Sequence, residues 1–261
     1  MRAVDRRATL VKRLGAGGFI APGDEADALM AAAAGDAVRL DELVRRRLTG
    51  EPLAWITGTV RFCGADIRID PGVYVPRWHT EALAVRAAER CPAAGLAVDL
   101  CTGSGAIAAS ISRVRPAARV LATDIDVRAV ACARANGVET YVGDLFAPLP
   151  PHVEGRVDVL VAVVPYVPER ELQYLQRDAL TFESPLAYRG GADGADLLRR
   201  VVADAPRWLR PGGALILELG GTQADLLRDD LTRYGFTTVT LVHDEEGDVR
   251  GIEATLAQPR T

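Results

Sequence analysis

The sequence predicts a doubly wound α/β fold that ends in an antiparallel hairpin. Three observations predict it. Short apolar runs at 97–100, 120–123, 139–142, 157–164 and 214–218 read as strands buried on both faces. Segments with helical spacing of apolar residues, at 106–113, 127–135 and 195–209, separate them. After a further helix at 223–234, two runs at 237–242 and 251–256 flank a polar turn at 244–248, and strands joined so tightly must be antiparallel. The seven strands make one sheet.

The region before residue 79 reads differently. Helices are expected at 3–14, 24–34 and 40–48, with Gly50-Glu51-Pro52 as the break that follows. Residues 60–75 then alternate in period two around Asp70-Pro71-Gly72, which predicts a β-hairpin turning at that Pro-Gly step. The expected organisation is a small helical domain with a hairpin over residues 1–78 and an α/β domain over 79–261.

With 261 residues, 49% hydrophobic and 25% charged, the chain can bury a full core without disulfides or metals. A net charge of -4 gives no global field for nucleic acid or an anionic membrane. The four cysteines lie far apart with no C-x-x-C pair, so reduced thiols are expected and neither a disulfide framework nor a metal site. No apolar stretch approaches the ~18 residues of a membrane span. A cytoplasmic protein, monomeric by default, is the expectation.

The first strand of the α/β region runs into Cys101-Thr102-Gly103-Ser104-Gly105 and a helix follows at once. Glycines at 103 and 105 permit a tight turn, and the helix N-terminus offers unpaired N–H groups to a polar ligand. Asp124 closes the next strand 19 residues (124 − 105) after Gly105, where an acid can accept from ribose hydroxyls. Gly103-Ser104-Gly105-Ala106-Ile107-Ala108 also satisfies the dinucleotide fingerprint, so a nicotinamide oxidoreductase competes on spacing alone. Two features favour S-adenosyl-L-methionine. Asp99 precedes the loop, placed for an amino group and repulsive to a pyrophosphate; and the antiparallel hairpin is the ending that class I (Rossmann-like) methyltransferases use. Asp144, in Gly143-Asp144-Leu145-Phe146, is the candidate acceptor for the adenine amino group, with Leu145 or Phe146 against the ring. A turn aspartate or helix cap is the plain alternative.

The fourth strand leads into Val163-Val164-Pro165-Tyr166-Val167-Pro168, outside the carboxyl end of the sheet where ligands of such folds bind. Here the chain resembles the HemK/PrmC family of glutamine N5-methyltransferases. The similarity runs almost end to end: Gly50-Glu51-Pro52, residues 73–81 (VYVPRWHTE), 99–107 (DLCTGSGAI), 143–146 (GDLF) and 183–194 (ESPLAYRGGADG). Finer details, including Phe62-Cys63-Gly64 and the Pro165-Tyr166-Val167-Pro168 step, resemble a PrmC-related branch.

The resemblance implies S-adenosylmethionine as methyl donor, held by Asp99, Thr102, Gly103, Gly105, Asp124, Ile125, Asp144, Leu145 and Val163. It implies that Val164, Pro165 and Tyr166 present the acceptor and that Tyr74, Arg77, His79 and Glu81 line its mouth. The family's loop reads Asn-Pro-Pro-Tyr, and its asparagine oxygen accepts an amide hydrogen of the substrate. Val163 stands in that place, and Trp78-His79 replaces the usual Pro-Glu. The expectation is therefore a methyltransferase with a diverged acceptor, a nitrogen of a small molecule or a protein. Release-factor glutamine methylation, nicotinamide oxidoreduction and cofactor binding without catalysis stand as alternatives. His79 is a candidate general base; Thr80 reads equally as the N-cap of the next helix.

Overall fold

The computed structural model describes residues 3–175, 177–220 and 223–258, without the side chains of residues 3–5, 177, 178 and 180. Four helices open the chain: α1 (Ala3–Ala16), α2 (Pro22–Ala33), α3 (Ala37–Leu48) and the short α4 (Leu53–Thr57). Pro22 begins α2 where a missing N–H costs nothing, and Asp36 caps α3 by accepting from Val38 N and Arg39 N. Their apolar faces meet in one cluster that includes Leu14, Leu29, Leu43 and Val44. Arg47 fastens α3 to α2 through a two-pronged pair with Glu25 and donates to Glu51 O.

The hairpin that follows is β1 (Thr59–Phe62) and β2 (Ala65–Arg68), turning at Cys63-Gly64 rather than at Asp70-Pro71-Gly72. Both turn residues take positive φ, 46° and 74°, as the right-handed twist of a two-residue hairpin loop requires. Val73 and Val75 lie beyond the hairpin without strand structure. Phe62, Ile67 and Ile69 pack with Leu83, Ile107 and Ile111, so the hairpin shares the core of the sheet rather than that of the helical bundle.

The remainder alternates as predicted: α5 (Glu81–Arg90), β3 (Leu96–Leu100), α6 (Ala106–Val114), β4 (Arg119–Asp124), α7 (Val127–Ala135), β5 (Glu139–Val142), β6 (Val157–Ala162), α8 (Arg177–Phe182), α9 (Asp196–Trp208), β7 (Leu209–Glu218), α10 (Gln223–Arg233), β8 (Phe236–His243) and β9 (Val249–Leu256). The seven-stranded order is β5-β4-β3-β6-β7-β9-β8, with β9 antiparallel to both β7 and β8 and the other pairs parallel. Alternate residues feed opposite layers. Val98 and Leu100 face Leu198 and Leu217, whereas Ala97, Val159 and Val161 face the α5, α6 and hairpin side.

Two predicted boundaries move. β6 ends at Ala162, two residues early, which frees Val163 and Val164 for the loop. Pro211-Gly212-Gly213 lies within β7 instead of before it, as an irregularity where partners step from Val157↔Leu209 to Val159↔Ala214. The strand order reverses between β3 and β6, and the site lies at their carboxyl ends.

Candidate active site

A cavity of about 590 Å³ opens at that switch point, within the range of small-molecule sites. Its floor is the turn after β3. Asp99 is 1% exposed; Oδ2 accepts from Thr102 Oγ1 at 2.6 Å and from Ala108 N at 3.2 Å. Oδ1 is buried without a partner among the described residues and belongs to a side chain that lines the cavity. Burial pushes the Asp99 carboxyl up to about 7, against the pull of the Thr102 and Ala108 hydrogen bonds.

Asp124, at the end of β4, accepts from Gly103 N at 2.8 Å and from Asp126 N at 2.9 Å, and burial raises its pKa. Thr102, Gly103, Asp124, Ile125 and Val163 line the cavity with Asp99. Gly105 does not. Its φ is +79° and a Cβ there would come within 3.0 Å of Ala133 and Val138, so it serves close packing of the loop on α7. Asp144 and Leu145 also stand outside the lining. The Asp144 carboxylate accepts from Arg200 Nη2 at 2.6 Å, and Leu145 is 5% exposed within the core.

Val164, Pro165 and Tyr166 all line the cavity. The backbone at Tyr166-Val167 is gripped from two sides: Val167 N donates to Tyr188 O and Gly190 N to Val167 O, while Gln223 Nε2, from α10, donates to Tyr166 O at 2.8 Å. Gly194 has φ +80°, and a Cβ there would lie 2.3 Å from Tyr166 O. The glycines of 190–194 thus allow the chain to press against the loop that follows β6.

The segment from Val73 to Thr80 forms the opposite wall. Trp55 Nε1 donates to Val73 O at 2.9 Å. Buried Glu183 accepts from Val75 N at 3.1 Å, from Arg77 Nη2 at 2.7 Å and from the Tyr188 hydroxyl. Tyr74 meets Tyr188 edge to face at 5.8 Å, and burial raises its phenol to about 12. Tyr74, Arg77 and His79 line the cavity as the sequence implied; Glu81, the first residue of α5, does not.

Thr80 occupies the N-cap position of α5, but its side chain makes no capping bond. Its hydroxyl donates to Glu218 Oε2 at 2.5 Å, and Tyr166 OH donates to Glu218 Oε1 at 3.0 Å. Sequence reasoning missed Glu218, Glu183 and Gln223 as site residues. For Glu218 a signal existed: an acid closing an apolar strand at the sheet's carboxyl end. The run 244–248 is also more than a solvated turn, because Asp244 receives Arg250 Nε at 2.5 Å while that guanidinium lies over Trp78.

Residues 70–161 match the family model described as Methyltransferase small domain. The fold is shared with the ribosomal protein L11 methylase of Lactobacillus delbrueckii subsp. bulgaricus, at 20% identity and TM-score 0.52 over 74% of this chain and 86% of that one. The shared fold is that of the class I methyltransferases. Among curated relatives, the release factor glutamine methyltransferase of Geobacter sulfurreducens is 37% identical over 78% of this chain and 73% of its own length. The protein of the same description from Mycolicibacterium smegmatis is 37% identical over 82% and 78%. The chain belongs to this family, the HemK/PrmC methyltransferases. Among the described residues no helix is long and apolar enough to cross a membrane.

Proposed function

We propose that this enzyme methylates a nitrogen acceptor other than the primary amide of a release-factor glutamine. The observation that carries the reading is Val163, which lines the cavity at the exit of β6 where the family's loop has an asparagine oxygen. An amide nitrogen is a weak nucleophile because its lone pair is delocalised. It gains from two acceptors that hold both N–H bonds as charge develops. Here the Val164 carbonyl is the backbone candidate and valine supplies nothing beside it. An unpartnered buried N–H costs about 1–3 kcal/mol, and one missing preorganised partner costs ~10²–10³ in rate.

S-adenosylmethionine supplies an electrophilic methyl on a sulfonium sulfur. Asp99, through its unpartnered Oδ1, fits the methionine ammonium; Asp124 and Ile125 fit the ribose side, with Thr102 and Gly103 shaping the turn between them. Asp144 is proposed for adenine with a condition: Arg200 must share or release it. Gly105 and Leu145 act behind the surface, as packing. Val164, Pro165 and Tyr166 present the acceptor, and alignment for in-line displacement supplies most of the acceleration. Tyr74, Arg77 and His79 form the mouth, with Glu81 supporting the helix behind it. The helices and hairpin of residues 1–78 are proposed to cover the acceptor, a small molecule or a protein segment, with the hairpin anchored in the core of the sheet and the helices in a core of their own.

The second reading, glutamine methylation of a release factor, is favoured by the curated relatives and by the retained Pro165-Tyr166 step. Incubation with methyl-labelled S-adenosylmethionine and a bacterial release factor separates the two. The proposal expects weak labelling by the native chain and a gain of about 10²-fold in Val163→Asn. Efficient labelling by the native chain establishes the second reading instead.

A further inference from the structure

Glu218 is a buried carboxylate, 1% exposed, at the carboxyl end of β7. Packing alone does not explain it, since an apolar side chain there would avoid the cost of burying an ionisable group. Its two oxygens join both walls of the acceptor side: Oε1 takes Tyr166 OH from the acceptor loop, and Oε2 takes Thr80 Oγ1 from the mouth segment. Oε1 also stands 3.8 Å from Nε2 of His79, a side chain that lines the cavity.

We propose that His79 receives the proton the methylated nitrogen must lose, and that Glu218 is the positioning residue that orients the imidazole and steadies its charged form. The inference rests on the methyl-transfer reading above. As the nitrogen attacks, the N–C bond forms and the C–S bond breaks. The sulfur keeps the electron pair, and the positive charge passes to nitrogen. The proton then goes from that nitrogen to the His79 ring nitrogen that does not face Glu218, while the Nε2 proton stays directed at the carboxylate. Exchange with water after product release resets the pair.

The surroundings suit a base. Glu218 stands beside His79 from β7, Arg250 and Asp244 act on it from the β8–β9 hairpin, and Arg77 and Trp78 flank it in its own segment; burial raises the Glu218 carboxyl, against the pull of Thr80, Tyr166, Arg250 and Arg77. Burial, Arg250 and Arg77 hold the imidazole below its ordinary pKa, and Asp244 opposes them only in part. His79 is thus neutral near pH 7 and able to accept. The family's usual glutamate at this position would place a second acid beside Glu218, so the exchange for histidine converts an acid pair into an acid–base pair.

Histidine-labelled full-length protein with bound S-adenosylhomocysteine, followed by NMR over pH, tests the pair. The chain has three histidines, and His79→Gln assigns the signal. The expected result is a neutral imidazole protonated on Nε2, whose midpoint falls by about one pH unit in Glu218→Gln. A midpoint and tautomer unchanged by Glu218→Gln overturn the proposal, provided that variant still binds S-adenosylhomocysteine and is therefore folded. A kinetic arm uses Val163→Asn on a release factor. Adding His79→Gln should lower kcat about 10²-fold, leave KM for S-adenosylmethionine unchanged and remove the acid limb of the pH profile. An unchanged kcat and profile would count equally against it. If Val163→Asn stays inactive, the changed-acceptor reading fails, and the His79 titration still decides the pair.

Discussion

Replacing Asp99 by asparagine perturbs one atom above all, the unpartnered Oδ1 in the cavity floor. Thr102 and Ala108 already occupy Oδ2, so an asparagine keeping those bonds turns its NH₂ towards the cavity. The cofactor's ammonium then meets a donor instead of an acceptor. A hydrogen bond to a charged group contributes about 1.5–3 kcal/mol, which is roughly 10- to 150-fold in affinity. Calorimetric titration with S-adenosylhomocysteine at pH 7.5 reads this directly.

Proton linkage gives a second readout of the same substitution. Asp99 titrates near 7 in the free protein and well above the unfolded value of 3.8, so the folded state holds its proton through that window. Stability attributable to this group is therefore present at low pH and lost as pH rises towards 7 and beyond. Binding an ammonium expels the proton. Proton release per ligand should be larger at pH 6 than at pH 7.5, measured by titration in buffers of different ionisation enthalpy. Asp99→Asn should abolish most of that release without lowering the ligand-free unfolding temperature at pH 7.5. Unchanged affinity and unchanged proton release would refute the assignment of Oδ1 to the cofactor.

Other consequences are as specific. Gly194→Ala puts a methyl 2.3 Å from Tyr166 O at a φ of +80°, so methyl transfer should collapse and stability fall by about 1–3 kcal/mol, read by denaturant unfolding. Arg77→Met removes one cationic partner of Glu183, which is only 2% exposed, and breaking a buried pair from one side costs about 3–5 kcal/mol. A loss below about 1 kcal/mol would mean that the other partners of that carboxylate suffice. Arg200→Ala frees Asp144; if Asp144 serves adenine, S-adenosylhomocysteine should bind as well as before or better, whereas Asp144→Ala should weaken it.

Much of this fold was legible because its physics is local and periodic. Strands buried on both faces read as unbroken apolar runs, and the predicted span at 139–142 coincides with β5. The hairpin was misplaced because Asp70-Pro71-Gly72 is the stronger turn signal by composition. The chain turns instead at Cys63-Gly64, where a cysteine adopts a left-handed φ that its residue type does not advertise. The cavity floor was legible for the same reason as the strands, since Asp99, Gly103 and Asp124 hold fixed positions relative to strand ends. Glu183 and Glu218 were not. Glu183 acts on Arg77 and Glu218 on Thr80, each pair more than a hundred positions apart, and only the closed sheet brings Glu218 to Thr80 and to Tyr166, 52 positions away. Asp144 shows the opposite failure, a motif position whose carboxylate is taken by Arg200 from a distant helix.

A crystal structure with S-adenosylhomocysteine decides where the cofactor sits. The expected pose has the ligand amino group within hydrogen-bond distance of Asp99 Oδ1, ribose hydroxyls on Asp124, and the sulfur turned towards Val164-Pro165-Tyr166 with space for an acceptor between Tyr74 and His79. Ligand bound elsewhere, or in this cavity with its amino group away from Asp99, would contradict it.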